Sequence, residues 1–253
     1  MKRALIVGGA NGIGLAIATE LAINHPTDCI YIVDKAPIPT EYTNPKFCYH
    51  QFDLTSSDYS LFNRFSDIDT LMITAGFGHL ALFRDIPEEM IKSYFDVNTL
   101  PVMRLIKHFY PRLEAKAEFR CGVMVSIAGY LSSPFFSVYA ATKAALRVFI
   151  ESVNVELHQS GTTNKILNVS PGSIHGTSFN QGKTDLSETT ELARQIVCHL
   201  ARRDDLFIPQ YEETYQAVLE RYHRDFRAEG LHSYEYKKQR IAETLNLWKH
   251  TTD

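Results

Sequence analysis

Cysteine, tryptophan and long apolar runs are all scarce in this 253-residue sequence, which has four Cys and one Trp. Cys29, Cys48, Cys121 and Cys198 form no Cys-x-x-Cys pair. They read as small core hydrophobes in a reducing, cytoplasmic setting, with no metal site and no disulfide. No stretch approaches the roughly 18 uninterrupted apolar residues that a membrane helix needs. Met1-Lys2-Arg3 followed by Ala4-Leu5-Ile6-Val7 resembles a leader start, but the apolar run is too short and dissolves into glycines. Neither sign of charge dominates: 26 Lys+Arg against 29 Asp+Glu leave a formal net charge of −3, so nothing favours nucleic acid as a partner. Internal repeats and low-complexity segments are also missing. What is present is length enough to bury a full core, and one α/β domain of this size is ordinary.

Glycine is concentrated where it matters. Ala4-Leu5-Ile6-Val7 has the continuous apolar character of a buried parallel strand. Gly8-Gly9-Ala10-Asn11-Gly12-Ile13-Gly14 follows, and then the helical pattern Leu15-Ala16-Ile17-Ala18 with Leu21-Ala22. A glycine-rich turn thus joins strand to helix. It lets backbone approach a ligand closely, and the helix start offers N–H groups and a positive dipole end to a pyrophosphate. A second apolar run, Cys29-Ile30-Tyr31-Ile32-Val33, ends in Asp34, twenty residues after Gly14. That spacing suits a carboxylate taking the ribose hydroxyls of NAD and repelling the 2′-phosphate of NADP. Lys35 directly after it keeps NADP open, since a cation there can pair with a phosphate.

Strands and helices then alternate. Strands are expected at 47–52, 70–73, 123–126, 166–169 and 206–208. Helices are expected near 58–65, over 88–113 with an interruption at Pro101, and over 137–157 and 188–201. This order predicts a doubly wound parallel sheet.

Three residues near the middle of the chain carry acid/base potential. Tyr139 and Lys143 stand one helical turn apart, and Ser126 precedes Tyr139 by thirteen residues at the end of an apolar run. An ammonium beside a phenol favours the phenolate and is expected to draw the Tyr pKa from about 10 toward neutrality. Such a phenol can exchange a proton with a substrate oxygen, and a serine hydroxyl can hold that oxygen in line. Alone, a Tyr and a Lys at this spacing are common; the nucleotide-binding half of the chain gives the trio its weight.

With these motifs in order, the chain resembles the short-chain dehydrogenase/reductase family from about Met1 to Pro209. The family's glycine motif maps onto Val7-Gly8 through Gly12-Ile13-Gly14, with Asn11 inside it. Its adenine-side acid after the third strand maps onto Asp53-Leu54, and its Asn-Asn-Ala-Gly onto Ile73-Thr74-Ala75-Gly76. Its helix asparagine maps onto Asn98, its Ser, Tyr and Lys onto Ser126, Tyr139 and Lys143, and its Pro-Gly onto Pro171-Gly172. The resemblance implies a Rossmann-type sheet and NAD(P)-dependent hydride transfer between an alcohol and a ketone. It also implies a homodimer or homotetramer. Tyr139 would be the general acid/base, and Lys143 would hydrogen-bond the nicotinamide ribose. Asn98 would organise a proton-relaying water, and Ile174 with a nearby Thr would contact the nicotinamide carboxamide. Here that Thr, Thr177, stands one position later than usual.

The departures are local. Val7 replaces the family Thr, and Ile73 and Thr74 replace both asparagines before Ala75-Gly76. Their joint loss reads as one polar interaction exchanged for apolar packing. Phe77, Phe83, Tyr130, Phe135, Phe136 and Phe179 fall in loops after strand ends and suit an apolar or aromatic small-molecule substrate. The polar stretch 178–188, with Gly182, reads as a mobile lid. His79 and His175 are in reach of a substrate there, but isolated histidines more often serve a plainer structural role.

Residues 211–253 extend beyond the 1–209 core of this single-domain reading. Tyr211, Tyr215, Leu219, Tyr222 and Phe226 recur at helical steps, as do Tyr234, Ile241, Leu245 and Trp248. Seven Lys/Arg against eight Asp/Glu in this tail give no membrane-surface bias. Packing on the same domain or on a partner subunit is expected. The rivals to an oxidoreductase are a non-catalytic NAD-binding redox sensor and a sugar-nucleotide epimerase or dehydratase. The first has no need of Ser126, Tyr139 and Lys143 together, and the second needs a larger substrate domain.

Overall fold

A computed structural model describes residues 1–177, 179 and 183–250, the last eleven of these by backbone only. Seven parallel strands form one sheet in the order β3-β2-β1-β4-β5-β6-β7. They are β1 (Arg3–Val7), β2 (Cys29–Asp34), β3 (Phe47–Gln51), β4 (Thr70–Ile73), β5 (Arg120–Met124), β6 (Ile166–Val169) and β7 (Leu206–Phe207). The helices are α1 (Gly12–Asn24), α2 (Glu88–Asn98), α3 (Leu100–Glu114), α4 (Ser137–Gln159), α5 (Leu186–Arg202), α6 (Gln216–Arg224) and α7 (Phe226–His250).

Both faces of the sheet are covered, which is why residues 4–7 of β1 and 71–73 of β4 are continuously apolar. Along β1, Leu5 and Val7 enter a core layer with Leu105, Ile106, Leu146 and Ile150 of α3 and α4. Ala4 and Ile6 enter the opposite layer with Ile17, Leu21, Ile196 and Leu200 of α1 and α5. Among the buried positions of α4, Val138, Thr142, Leu146, Ile150, Val153 and Leu157 fall at three- and four-residue steps, flanked by Ala140 and Lys143, the stripe an amphipathic helix needs to lie on a sheet. The Asp185 side chain accepts from Ser187 N–H and starts α5, and Arg203 in the left-handed region ends it.

The strand order reverses between β1 and β4, so connections leave in opposite directions there. In open α/β sheets ligands bind in the crevice outside the carboxyl ends of the strands at such a reversal.

Several expectations change. The fifth strand stops at Met124, so Ser126 is not its last residue. It begins a single helical turn, Ile127–Gly129, with its Oγ accepting from Ala128 N–H. The long helix over 88–113 is two helices meeting at Thr99; Pro101 lacks an N–H and its ring crowds the Val97 carbonyl. The helix between β3 and β4 is a short 3₁₀ segment, Ser60–Phe65. Of the four cysteines only Cys121 lies in the core. Because β3 is an edge strand, Cys48 is exposed and its Sγ sits 3.3 Å from Cys29 Sγ on β2.

Through His250 the tail is helical as expected, but its first apolar stripe is only partly used: Leu219 is buried with Ile127 and Ile208, whereas Tyr211 and Phe226 are exposed. The side chains of Ile241, Leu245 and Trp248 lie outside the described residues, as do Ser178 and residues 180–182 of the expected lid. Among the described residues no helix is long and apolar enough to cross a membrane.

Candidate active site

The glycine turn is held closely against β4. Gly8 has φ +86°, and a Cβ there would fall 2.4 Å from Ala75 N; one on Gly14 would fall 2.2 Å from the Gly8 carbonyl oxygen. Both positions therefore require glycine. The turn delivers the chain into α1, whose first turn contains no acidic residue and whose Asn11 cap makes no side-chain capping bond. The helix start thus favours an anion. Ile13 packs into the core behind the turn. Gly12 N–H donates to Thr184 Oγ1 at 3.2 Å. Thr177 lies against Gly12, so its side chain borders the glycine turn.

Asp34, at the end of β2, accepts from Ala10 N–H through Oδ2 and from Ala36 N–H through Oδ1, each at 3.1 Å. A carboxylate has about four acceptor directions, so the bracing of the turn leaves capacity for ribose hydroxyls. Asp53 Oδ1 accepts from Thr55 N–H and Oγ1–H at 2.8 Å. These bonds, with Lys35 nearby, hold its pKa below the usual carboxylate value. Leu54 packs on the core beside it.

Thr74 corrects the expectation that polar bracing was lost here. Its hydroxyl lies 3.1 Å from the Val7 carbonyl oxygen and 2.9 Å from that of Gly8, and Thr74 and Ala75 N–H both donate to Val7 O. A threonine performs the strand-to-turn contact that the missing asparagines suggested was gone. Gly76 follows, and a Cβ there would sit 3.3 Å from Asn98 Oδ1 and 3.4 Å from Lys143 Nζ. The loop after β4, Asn98 and Lys143 therefore converge.

Asn98 is fully buried and is the last residue of α2. It clamps the Phe77 backbone: Phe77 N–H donates to Oδ1, and Nδ2 donates to the Phe77 carbonyl, both at 2.9 Å. Nδ2 also reaches Thr142 Oγ1 at 3.3 Å, and the Thr142 hydroxyl donates to the Tyr139 carbonyl at 2.6 Å. Thr142, absent from the sequence reading, links Asn98 to the helix carrying Tyr139 and Lys143. Its position inside that motif was a signal; a small polar residue on the buried stripe of a helix needs a partner.

Lys143 is 3% exposed and donates from Nζ to the Met124 carbonyl at 2.9 Å. Its Nζ lies 5.7 Å from the Tyr139 ring centroid. Burial lowers the Lys143 pKa from 10.5 to about 8. The Tyr139 phenol moves opposite to the sequence expectation: burial pushes it up from 10.0 to about 12, partly countered by a hydrogen bond with the Ser126 hydroxyl. Desolvation outweighs the distant ammonium. The phenol is accordingly protonated at neutral pH, with the Ser126 hydroxyl beside it, and the pair can donate to a substrate oxygen. Ser126 Oγ is also 3.4 Å from the Pro171 carbonyl, so the Pro171-Gly172 segment abuts this centre, with Tyr215 lying over Gly172. Ile174 packs into the core on the α1 side.

Only part of the expected aromatic rim surrounds Tyr139. Phe179 and Phe136 approach its ring at 5.2 and 5.6 Å between centroids. The Phe179 ring also closes on Gly78. Phe77 instead stacks on Tyr94 at 4.7 Å, and Phe135 on Tyr234 at 4.9 Å. Phe83 is solvent-exposed. Tyr130 serves packing, with its hydroxyl accepting from Asn168 at 2.8 Å. His79 contributes its backbone N–H to Tyr94, and His175 is exposed.

Residues 2–187 match the family model described as short chain dehydrogenase. Retinol dehydrogenase 8 of Bos taurus is 26% identical over 232 residues, which is 86% of this chain and 73% of that protein. An alcohol dehydrogenase from the archaeon Thermococcus sibiricus, complexed with 5-hydroxy-NADP, superposes with a TM-score of 0.70 at 23% identity, covering 82% of this chain and 95% of that one. A short chain dehydrogenase/reductase from Burkholderia phymatum in complex with NAD gives a TM-score of 0.76 at 17% identity, covering 90% and 95%. At these identities the two structures establish a shared fold.

Proposed function

The chain belongs to the short-chain dehydrogenase family of NAD(P)-dependent oxidoreductases acting on CH–OH and C=O groups, and from that membership we propose that it interconverts a secondary alcohol and its ketone with Tyr139 as general acid/base. The observation that carries this reading is the convergence of Tyr139, Ser126, Lys143 and Asn98 outside the carboxyl ends of β4 and β5, beside the glycine turn.

The turn fits a dinucleotide. Gly8, Gly12 and Gly14 bring backbone close to its pyrophosphate, with Asn11 and Ile13 at the helix start. Asp34 takes the adenosine ribose, and Asp53 with Leu54 borders the adenine. Ala75 and Gly76 floor the crevice. Pro171, Gly172 and Ile174 wall the nicotinamide end, and Thr177 stands nearer the pyrophosphate. When bound, the nicotinamide supplies or accepts the hydride. Asp34 supports NAD as the preferred form, and Lys35 keeps NADP available.

The protein's own part is protonic and positional. Ser126 orients the substrate oxygen. Tyr139 donates its proton as an alkoxide forms and recovers it in the reverse direction. Lys143, held by the Met124 carbonyl, places an ammonium that favours the phenolate once Tyr139 has given up its proton. Asn98 fixes the β4 loop against α4. Phe136 and Phe179 around Tyr139 support an apolar or aromatic substrate, and the likeness to a retinol dehydrogenase agrees with that class. Exposed Leu100, Val148 and Val155 on α3 and α4 support self-association.

The test is a fluorescence titration of NADH against NADPH with wild type and Asp34→Ala, followed by an alcohol/ketone panel with Tyr139→Phe as control. The expected result is NADH binding weakened in Asp34→Ala, turnover of an apolar ketone, and at least a hundredfold loss in Tyr139→Phe. Binding of neither cofactor refutes the enzyme reading. Binding without turnover, indifferent to Tyr139→Phe, turns it toward a redox sensor.

A further inference from the structure

Helix α7 meets the loop 131–136, which leads into the Tyr139 helix, at several points along one face. Gly230, Tyr234 and Lys237 are spaced four and three apart and so line up on α7. At Gly230 a Cβ would fall 2.9 Å from Ser132 Oγ, so the helix and the loop are in direct contact there. Ser132 Oγ donates to the Phe226 carbonyl at 3.3 Å. Tyr234 stacks on Phe135 at 4.9 Å and 29°. Lys237 Nζ donates to Ser133 Oγ at 2.7 Å and to the Pro134 carbonyl at 3.0 Å, and lies 5.4 Å from the Phe136 ring centroid.

Two features make this more than surface packing. Phe135 has φ +66°, a left-handed conformation that is costly for a bulky side chain and persists only where its surroundings hold it. On one side the Tyr234 ring holds it; on the other its carbonyl accepts from Ala81 N–H at 2.9 Å, in the loop that follows β4. Secondly, Lys237 is a half-buried cation with no carboxylate within ion-pair distance among the described residues, and burial lowers its pKa to about 8. A lysine in that setting is costly, so its two bonds to the loop need a use.

We propose that Tyr234 and Lys237 are positioning residues of the active site: from α7 they hold the loop 131–136 so that Phe136 lies against Tyr139 and keeps water from it. This rests on the reading of Tyr139 as the acid/base. Among the described residues the ionisable groups around Tyr139 are Lys143 on its own helix and Tyr94 on α2, with Lys237 beyond Phe136 on α7. Loosening the loop changes the hydration of the phenol and leaves Lys143 and Tyr94 in place.

The experiment compares Lys237→Met, Lys237→Arg and Tyr234→Ala in the full chain. Hydrogen exchange of the segment 131–139 is expected to quicken about tenfold in Lys237→Met and Tyr234→Ala, equivalent to one net hydrogen bond or stack, and to recover in Lys237→Arg. With a turned-over ketone, kcat/KM is expected to fall about tenfold in Lys237→Met while NADH and NADPH affinities change less than about twofold. Tyrosinate absorbance, taken as the difference from Tyr139→Phe, should show the Tyr139 phenol ionising at lower pH in Lys237→Met, because a hydrated phenol ionises more readily. A purely structural role for Lys237 leaves that titration where it was.

Unchanged exchange over 131–139 in both Lys237→Met and Tyr234→Ala overturns the proposal, as does loss of cofactor affinity in parallel with kcat/KM. If wild type turns over no ketone, the acid/base reading fails separately and the exchange measurement still decides whether α7 holds the loop. Should Lys237→Met not fold, Tyr234→Ala tests the same contact without touching the ammonium.

Discussion

Replacing Lys143 with methionine is expected to make the protein more stable while removing its activity. The magnitude follows from the burial of the ammonium. Its pKa falls from 10.5 to about 8 in the folded protein, and at about 1.4 kcal/mol per unit that displacement means roughly 3 kcal/mol of stability withheld at neutral pH. Methionine has a similar stem and no charge, so it relieves that penalty. It also leaves the Met124 carbonyl, which accepts from Nζ at 2.9 Å, without its partner, a loss of about 1–2 kcal/mol. The net gain is about 1–2 kcal/mol, or a rise in Tm of about 2–8 °C for a chain of this size.

The pH dependence tests the cause. Because the folded pKa lies below the unfolded one, between about pH 8 and 10.5 the unfolded chain keeps a proton on Lys143 that the folded chain has released. Wild-type stability therefore rises with pH across that window. The advantage of Lys143→Met is full below about pH 8, shrinks above it, changes sign at about pH 9–10 and is fully reversed by about 10.5, where only the lost hydrogen bond remains. Urea unfolding of both proteins at about pH 7 and about pH 10, with matched m values, measures this directly. A variant less stable than wild type at the lower pH, or a difference that does not change with pH, refutes the reasoning.

Two further substitutions follow from the site's geometry. Asn98→Ala strands the Phe77 N–H and carbonyl that the side chain satisfies at 2.9 Å; a loss of about 2–4 kcal/mol is expected in urea unfolding, together with most of the activity. Gly8→Ala and Gly161→Ala separate steric clash from backbone strain, since both glycines have positive φ but only Gly8 has backbone, Ala75 N at 2.4 Å, where the methyl would go. Gly161→Ala is expected to cost about 1–2 kcal/mol. Gly8→Ala should cost more and weaken cofactor binding as well, and equal losses in the two variants would contradict the close approach at the glycine turn.

The readable parts of this chain were those that local pattern determines. A parallel strand covered on both faces carries a continuous apolar run, so β1, β2 and β4 stand out without any partner being known. The glycines at 8 and 14 are legible because only glycine satisfies the close approach of turn to strand. What pattern did not reveal depends on distance through space. Thr74 looked like a lost asparagine, yet its hydroxyl reaches the carbonyls of Val7 and Gly8, and nothing in its neighbours along the chain foretells that register. Tyr139 and Lys143 looked like a pair in which the cation tunes the phenol. Once folded, burial acts on each more strongly than either acts on the other, so the phenol rises and the ammonium falls. Both shifts favour the neutral forms. The site is thus prepared to donate a proton from Tyr139, and the charge that would favour the phenolate resides on a lysine whose burial the fold tolerates only by giving up stability. That conflict between a comfortable core and an ionisable centre is a physical mark of function, and Lys237 at the other end of the chain bears the same mark.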